Sequence, residues 1–131
     1  MAWIRSGTGG NSSAPVLLWT NSNPTSDFSA QTISVDLSNY EYILIKFKNT
    51  LNDGYTYETI FRTDNNLRQA IAGATSVSPS PQIYIRSFVL SSSQINFIDA
   101  YNCYNNGSGT RYMTKLNSLI IPIEIYGYKT I

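Results

Sequence analysis

The sequence predicts an all-β protein: a single antiparallel β-sandwich of jelly-roll type with about eight or nine strands. Three observations lead there. Apolar residues recur at every second position in most segments, which is the period of a half-buried strand. Turn residues punctuate the chain at intervals of about ten residues, too short for the helical crossovers of an α/β fold. With 131 residues, 42% of them apolar, and one cysteine, the chain fits one domain that buries a core without disulfides. The sandwich is expected over residues 15–131, after an extended or flexible lead-in over 1–14 that is rich in Gly and Ser.

In 31–37, Ile33, Val35 and Leu37 share one face while Thr32, Ser34 and Asp36 take the other, as in an antiparallel strand with one wet side. Over 40–49 the inward set is Ile43, Ile45 and Phe47, with Lys46 and Lys48 outward and Leu44 an exception on the polar side. Asp53-Gly54 reads as a hairpin turn, since both residues tolerate positive φ, and 55–63 reads as the returning strand. Residues 65–73 alone have a helical flavour. Pro79 and Pro81 break the chain before a strand at 82–90, which Ser91-Ser92-Ser93 turns into another at 94–104. The run 105–109, Asn-Asn-Gly-Ser-Gly, is a loop tip, because glycine frees the backbone and asparagine accepts left-handed geometry. The last strand sets Leu119, Ile121, Ile123 and Ile125 against Ile120, Pro122, Glu124 and Tyr126. Pro122 cannot donate to a ladder and belongs at an edge or a bulge.

Charge and composition limit the chemistry. Nine basic residues against eight acidic ones, scattered from Arg5 to Lys129, give no basic patch for nucleic acid. Nothing resembles a secretory signal, a membrane-inserting segment or an Asp-x-Asp-x-Asp-Gly calcium loop, so neither metal nor cofactor is expected. There is no histidine, which removes Ser-His and Cys-His nucleophile pairs. Carboxylate chemistry remains, and of the acidic residues Asp53 reads as a turn residue while Asp36, Glu58 and Glu124 lie on polar strand faces. Asp99 shares a face with Phe97 and Tyr101 and is expected to be buried in an ion pair with Arg86 or Arg111. Cys103 reads as a small core residue. The Asn-Gly-Ser sequence at 106–108 fits a glycosylation acceptor.

Ten tyrosines and two tryptophans stand in a charge-poor surface rich in amides and hydroxyls. Flat aromatic faces stack on pyranose C–H groups, and tyrosine also gives rigid contact area for protein recognition. The densest cluster is Tyr101, Tyr104, Asn105, Asn106, Arg111 and Tyr112; Tyr55 and Tyr57 form a second. These are the candidate ligand-binding residues. Tyrosine is equally a good strand residue that packs on its neighbours. Apolar residues on both faces of 119–126 and 88–90 exceed what a lone sandwich needs and suggest subunit contacts.

Three stretches carry a resemblance: Leu18-Trp-Thr-Asn-Ser-Asn-Pro-Thr-Ser-Asp-Phe-Ser-Ala-Gln-Thr32; Arg86-Ser-Phe-Val-Leu-Ser-Ser-Ser-Gln-Ile-Asn-Phe-Ile-Asp-Ala-Tyr101; and Asn117-Ser-Leu-Ile-Ile-Pro-Ile-Glu-Ile-Tyr-Gly-Tyr-Lys129. They resemble the C-terminal domains of tail-fibre and minor structural (receptor-binding) proteins of phages and prophages of Gram-positive bacteria. That family implies a non-enzymatic virion module, made in the bacterial cytoplasm without a signal peptide and located on the phage tail or capsid surface. It implies a homotrimer whose partners are other virion proteins and a host cell-surface glycan or protein. It is compatible with a domain of a longer fibre or a free-standing small virion protein. A head-decoration or baseplate assembly protein is the alternative role, and a glycan-cleaving domain using paired carboxylates a lesser one.

Overall fold

The computed structural model describes residues 14–75, 82–105 and 109–129. The expected lead-in, apart from Ala14, lies outside these residues, as do Pro79, Pro81 and positions 106–108 of the loop tip. The described residues form nine strands: β1 (Val16–Thr20), β2 (Gln31–Ser34), β3 (Tyr42–Thr50), β4 (Tyr57–Arg62), β5 (Gln69–Thr75), β6 (Gln82–Leu90), β7 (Gln94–Asn105), β8 (Arg111–Lys115) and β9 (Leu119–Tyr128). They make two antiparallel sheets. The first has the order β1-β9-β3-β4; the second has the order β2-β7-β6-β5, with β8 also paired to β7. The fold is therefore the all-β sandwich that the period-two pattern predicts, with no helix among the described residues. Its long-range pairs are β1 with β9, β2 with β7 and β3 with β9; the others are hairpins between consecutive strands.

The core lies between the sheets. Ile43, Ile45 and Phe47 of the first sheet and Phe88, Leu90, Ile95 and Phe97 of the second are all buried there. Each such side chain contributes roughly 1.5–3 kcal/mol by leaving water. Edge-on ring contacts lock the packing, with Phe61 against Phe88 at 4.8 Å and Phe28 against Phe97 at 5.3 Å. Ile33, Val35 and Leu37 are buried in turn, as their alternation requires, although the strand itself stops at Ser34. Leu44 is also buried, on the outer face, where its cross-strand neighbours are Tyr126 and Ile60.

Residues 65–73 are not helical; their second half is β5. Ala, Gly and Gln have weak strand preference, and the ladder to β6 imposes the extended form. Gly73 has a packing reason, because a Cβ there would lie 2.5 Å from the Asn49 amide oxygen of the opposite sheet. The Asp53-Gly54 turn is looser than expected. Strand β4 begins only at Tyr57, Asp53 N–H bonds the Thr50 carbonyl, the Asp53 carboxylate accepts from Tyr55 N–H, and Gly54 keeps a negative φ.

Two bulges overturn the facing of side chains. In β9, Glu124 pairs with Lys46 and Pro122 with Phe47, which leaves Ile123 as the extra residue. Pro122 therefore sits at a bulge, one of the two places open to it. Ile123 is only half-buried, whereas Ile120, expected outward, is fully buried at a φ of 46°. That left-handed conformation is rare for a β-branched residue. In β7, Phe97 pairs with Phe88 and Ala100 with Arg86, so Ile98 and Asp99 together oppose Ser87. Downstream of this point the phase is reversed. Ala100 enters the core, and Tyr101 and Cys103 turn to the outer face instead of continuing the face of Phe97.

Candidate functional site

The long hairpin of β7 and β8 carries most of the predicted site. Tyr104 and Tyr112 are direct cross-strand partners whose rings stack at 5.4 Å and 25°. Tyr112 is exposed and Tyr104 half-buried, so the pair presents one open ring backed by another. Asn105 pairs with Arg111 at the root of the loop tip, and Asn106 falls outside the described residues. Tyr101 does not join them. It pairs with Lys115 and Ile85 and, at odd spacing from Tyr104, faces the other side of the sheet. Tyr55 lies in the β3–β4 connection of the first sheet and Tyr57 opens β4; Tyr55 is 73% exposed, and Tyr57 packs on Phe47 at 5.8 Å.

The outer face around Cys103 is apolar. Ala74, Ile83, Cys103 and Met113 form one continuous cross-strand row over β5, β6, β7 and β8. Ile83 is 53% and Met113 64% exposed, so Cys103 sits half-buried in a surface row and not in the core.

A cleft that the sequence analysis did not single out lies in the β1–β2 connection. It measures about 190 Å³, and Trp19, Asn21, Asn23, Ser26, Asp27 and Gln31 are among its walls. Trp19 is half-buried and rests against the buried Phe28, with ring centroids 6.0 Å apart. The connection is tied down along its length. Asn21 N–H bonds the Ile123 carbonyl, the Asn21 amide donates to the Pro122 carbonyl and accepts from Asn23 N–H, and Phe28 N–H bonds the Asn117 carbonyl. The detectable signal was a tryptophan leading into a run of amides and hydroxyls, Trp19 to Ser26.

Asp99 fixes the far end of this connection. Its carboxylate accepts from Ala30 N–H at 2.9 Å and from the Asn117 amide at 2.8 Å, and Lys115 stands 3.8 Å away. The backbone N–H of Ala30, then Asn117 and Lys115, hold its carboxyl below the usual carboxylate range. The expected ion pair with Arg86 is absent, because the bulge turns Asp99 away from the core. Arg86 is instead fully buried and donates to three backbone carbonyls: Nε to Ile120 at 2.7 Å, Nη1 to Ile98 at 2.9 Å and Nη2 to Leu119 at 2.9 Å. Its guanidinium also lies 5.0 Å from the Phe28 ring centre. Burial pulls the Arg86 pKa down to about 10, so it remains a cation at neutral pH.

Three further carboxylates are engaged locally. Asp36 accepts from Ser38, Asp64 from Arg62, and Glu124 accepts from the Tyr126 hydroxyl with Lys46 at 3.6 Å. No group of three or more acidic or cysteine side chains converges as a metal site among the described residues, and no helix there is long and apolar enough to cross a membrane. No family model, curated protein or solved structure matches this chain.

Proposed function

We propose that this chain is a non-enzymatic phage virion module, a tail-fibre or receptor-binding tip that binds a host cell-surface glycan or protein. The observation that carries the reading is the stacked pair Tyr104 and Tyr112, an open aromatic face held on a rigid hairpin beside a polar loop root. Side chains on a sheet lose little further freedom on binding, which suits recognition of a weakly held repeating surface ligand. The resemblance of the β1–β2 connection, β6–β7 and β9 to Gram-positive phage fibre domains supports the same role, and with it a homotrimer on the virion surface.

The test is adhesion of the purified chain to Gram-positive cells, with light scattering on the same sample. Tyr112→Ala is expected to weaken cell binding while leaving the oligomer intact; unchanged binding would remove the hairpin as the contact. The row Ala74, Ile83, Cys103 and Met113 favours a second reading, in which the module assembles with other virion proteins as a head-decoration or baseplate component. That reading expects binding to virions and none to cells.

A further inference from the structure

We infer that the cleft between Trp19 and Asp27 is a binding site for an uncharged pyranose sugar. The site is separate from the tyrosine hairpin, and the inference draws on the adhesion reading only for where such a sugar would be met.

Size restricts the ligand first. At about 190 Å³ the cleft is smaller than the roughly 300–1,000 Å³ of sites for drug-sized molecules, so it admits a single ring or a chain end. Two walls are aromatic, the half-buried Trp19 indole and the Phe28 ring that it contacts, and flat rings suit the C–H face of a pyranose.

Polar chemistry restricts it further. The hydrogen bonds within the connection leave the cleft with both donors and acceptors. Asn23 uses its backbone and its side-chain oxygen in the turn, and its amide N–H₂ makes no bond among the described residues. The Ser26 hydroxyl and the Asp27 carboxylate are likewise without partners among the described residues. Gln31 donates to the Ser29 carbonyl and keeps its own oxygen available. A carboxylate beside amides and a hydroxyl matches the paired donor and acceptor character of sugar hydroxyls. Among the described residues no lysine or arginine lines the cleft, and Asp27 adds negative charge, so phosphorylated and uronic acid sugars are disfavoured. Because the connection is anchored at Ile123, Pro122, Asn117 and Asp99, these groups are ordered before any ligand arrives.

The experiment is a titration of the intact chain followed by amide and indole NMR signals. The added compounds are the methyl glycosides of glucose, galactose and N-acetylglucosamine, then sodium glucuronate, glycerophosphate and choline chloride. At least one neutral glycoside is expected to move the Trp19 indole N–H and the backbone signals of Asn23 and Asp27 with millimolar affinity. Asp27→Ala, at an exposed position whose side chain makes no bond among the described residues, is expected to weaken that binding about tenfold with an otherwise unchanged spectrum. Silence towards all neutral glycosides, equal binding by Asp27→Ala, or a response only to the anions or to choline would overturn the inference. The probes are free sugars, so the two readings fail separately. A silent cleft in a chain that still adheres to cells removes this site alone, whereas a sugar-filled cleft in a chain that ignores cells supports this site and removes the adhesion role.

Discussion

Replacing Arg86 tests whether the core is held by a fork of hydrogen bonds or by a charge. Arg86→Lys keeps the cation, and therefore the cost of burying it, but an ammonium on a flexible stem cannot reach the Ile120, Ile98 and Leu119 carbonyls together. Losing one or two bonds from a charged donor, each worth about 1.5–3 kcal/mol, predicts a loss of about 2–5 kcal/mol. Arg86→Met strands all three carbonyls at about 1–3 kcal/mol each, yet recovers several kcal/mol by removing a buried charge, for a net loss of about 0–4 kcal/mol. Lysine is thus expected to be no better than methionine. A domain of this size has about 5–15 kcal/mol in total, so the difference is measurable by urea denaturation at fixed protein concentration. If Arg86→Lys lies within about 0.5 kcal/mol of the parent while Arg86→Met loses clearly more, the charge matters and the fork does not, and the reasoning fails.

Further expectations follow from other sites. Asp99 has a folded pKa below its unfolded value of about 3.9, so its stabilisation is whole above that pH and is lost as pH falls through the folded value. Asp99→Asn should therefore flatten the acid limb of a urea-midpoint-versus-pH curve, though not abolish it, since Asp36 and Asp64 are lowered too; an identical limb would remove Asp99 as a contributor. Gly127→Ala would place a Cβ 2.7 Å from the Tyr40 ring and 2.9 Å from Leu18, and should cost about 1–3 kcal/mol in thermal or urea unfolding. Ile83→Glu combined with Met113→Glu should lower the mass seen by light scattering while leaving the circular dichroism spectrum intact, if the outer row joins subunits; an unchanged mass would place the contact elsewhere.

The sequence displayed the strands wherever one face is wet and one dry, as in β3, with Ile43, Ile45 and Phe47 alternating against lysines. It did not display β5, whose Ala and Gly residues are extended only because β6 lies alongside. Bulges are invisible to a period-two reading, since one inserted residue reverses every facing beyond it. That is why Asp99, Cys103, Ile120 and Ile123 were misplaced by an otherwise correct strand assignment. Of the site, the pairing of Tyr104 with Tyr112 follows from hairpin register. The separation of Tyr101 from that pair follows equally from its odd spacing to Tyr104, whereas which side of the sheet each takes depends on the bulge. The Trp19 cleft was hidden because its walls come from a connection whose shape is set by distant carbonyls of β9 and by Asn117.

The pairing of β1 with β9 has a consequence for how the chain reaches this fold. β9 is made after every other strand, yet it lies inside the first sheet and is the neighbour of both β1 and β3. Until β9 exists, β1 has no partner among the described strands, and the Ile43 and Ile45 face lacks Ile121 and Ile125 to close it. Folding must then join segments more than a hundred residues apart in sequence, such as Val16 and Gly127. Closing so long a loop places this domain among slow folders, in the range of milliseconds to seconds. During that interval β3 offers an unpaired, apolar edge to any neighbouring copy, so nascent chains held close together have the opportunity to exchange their last strands.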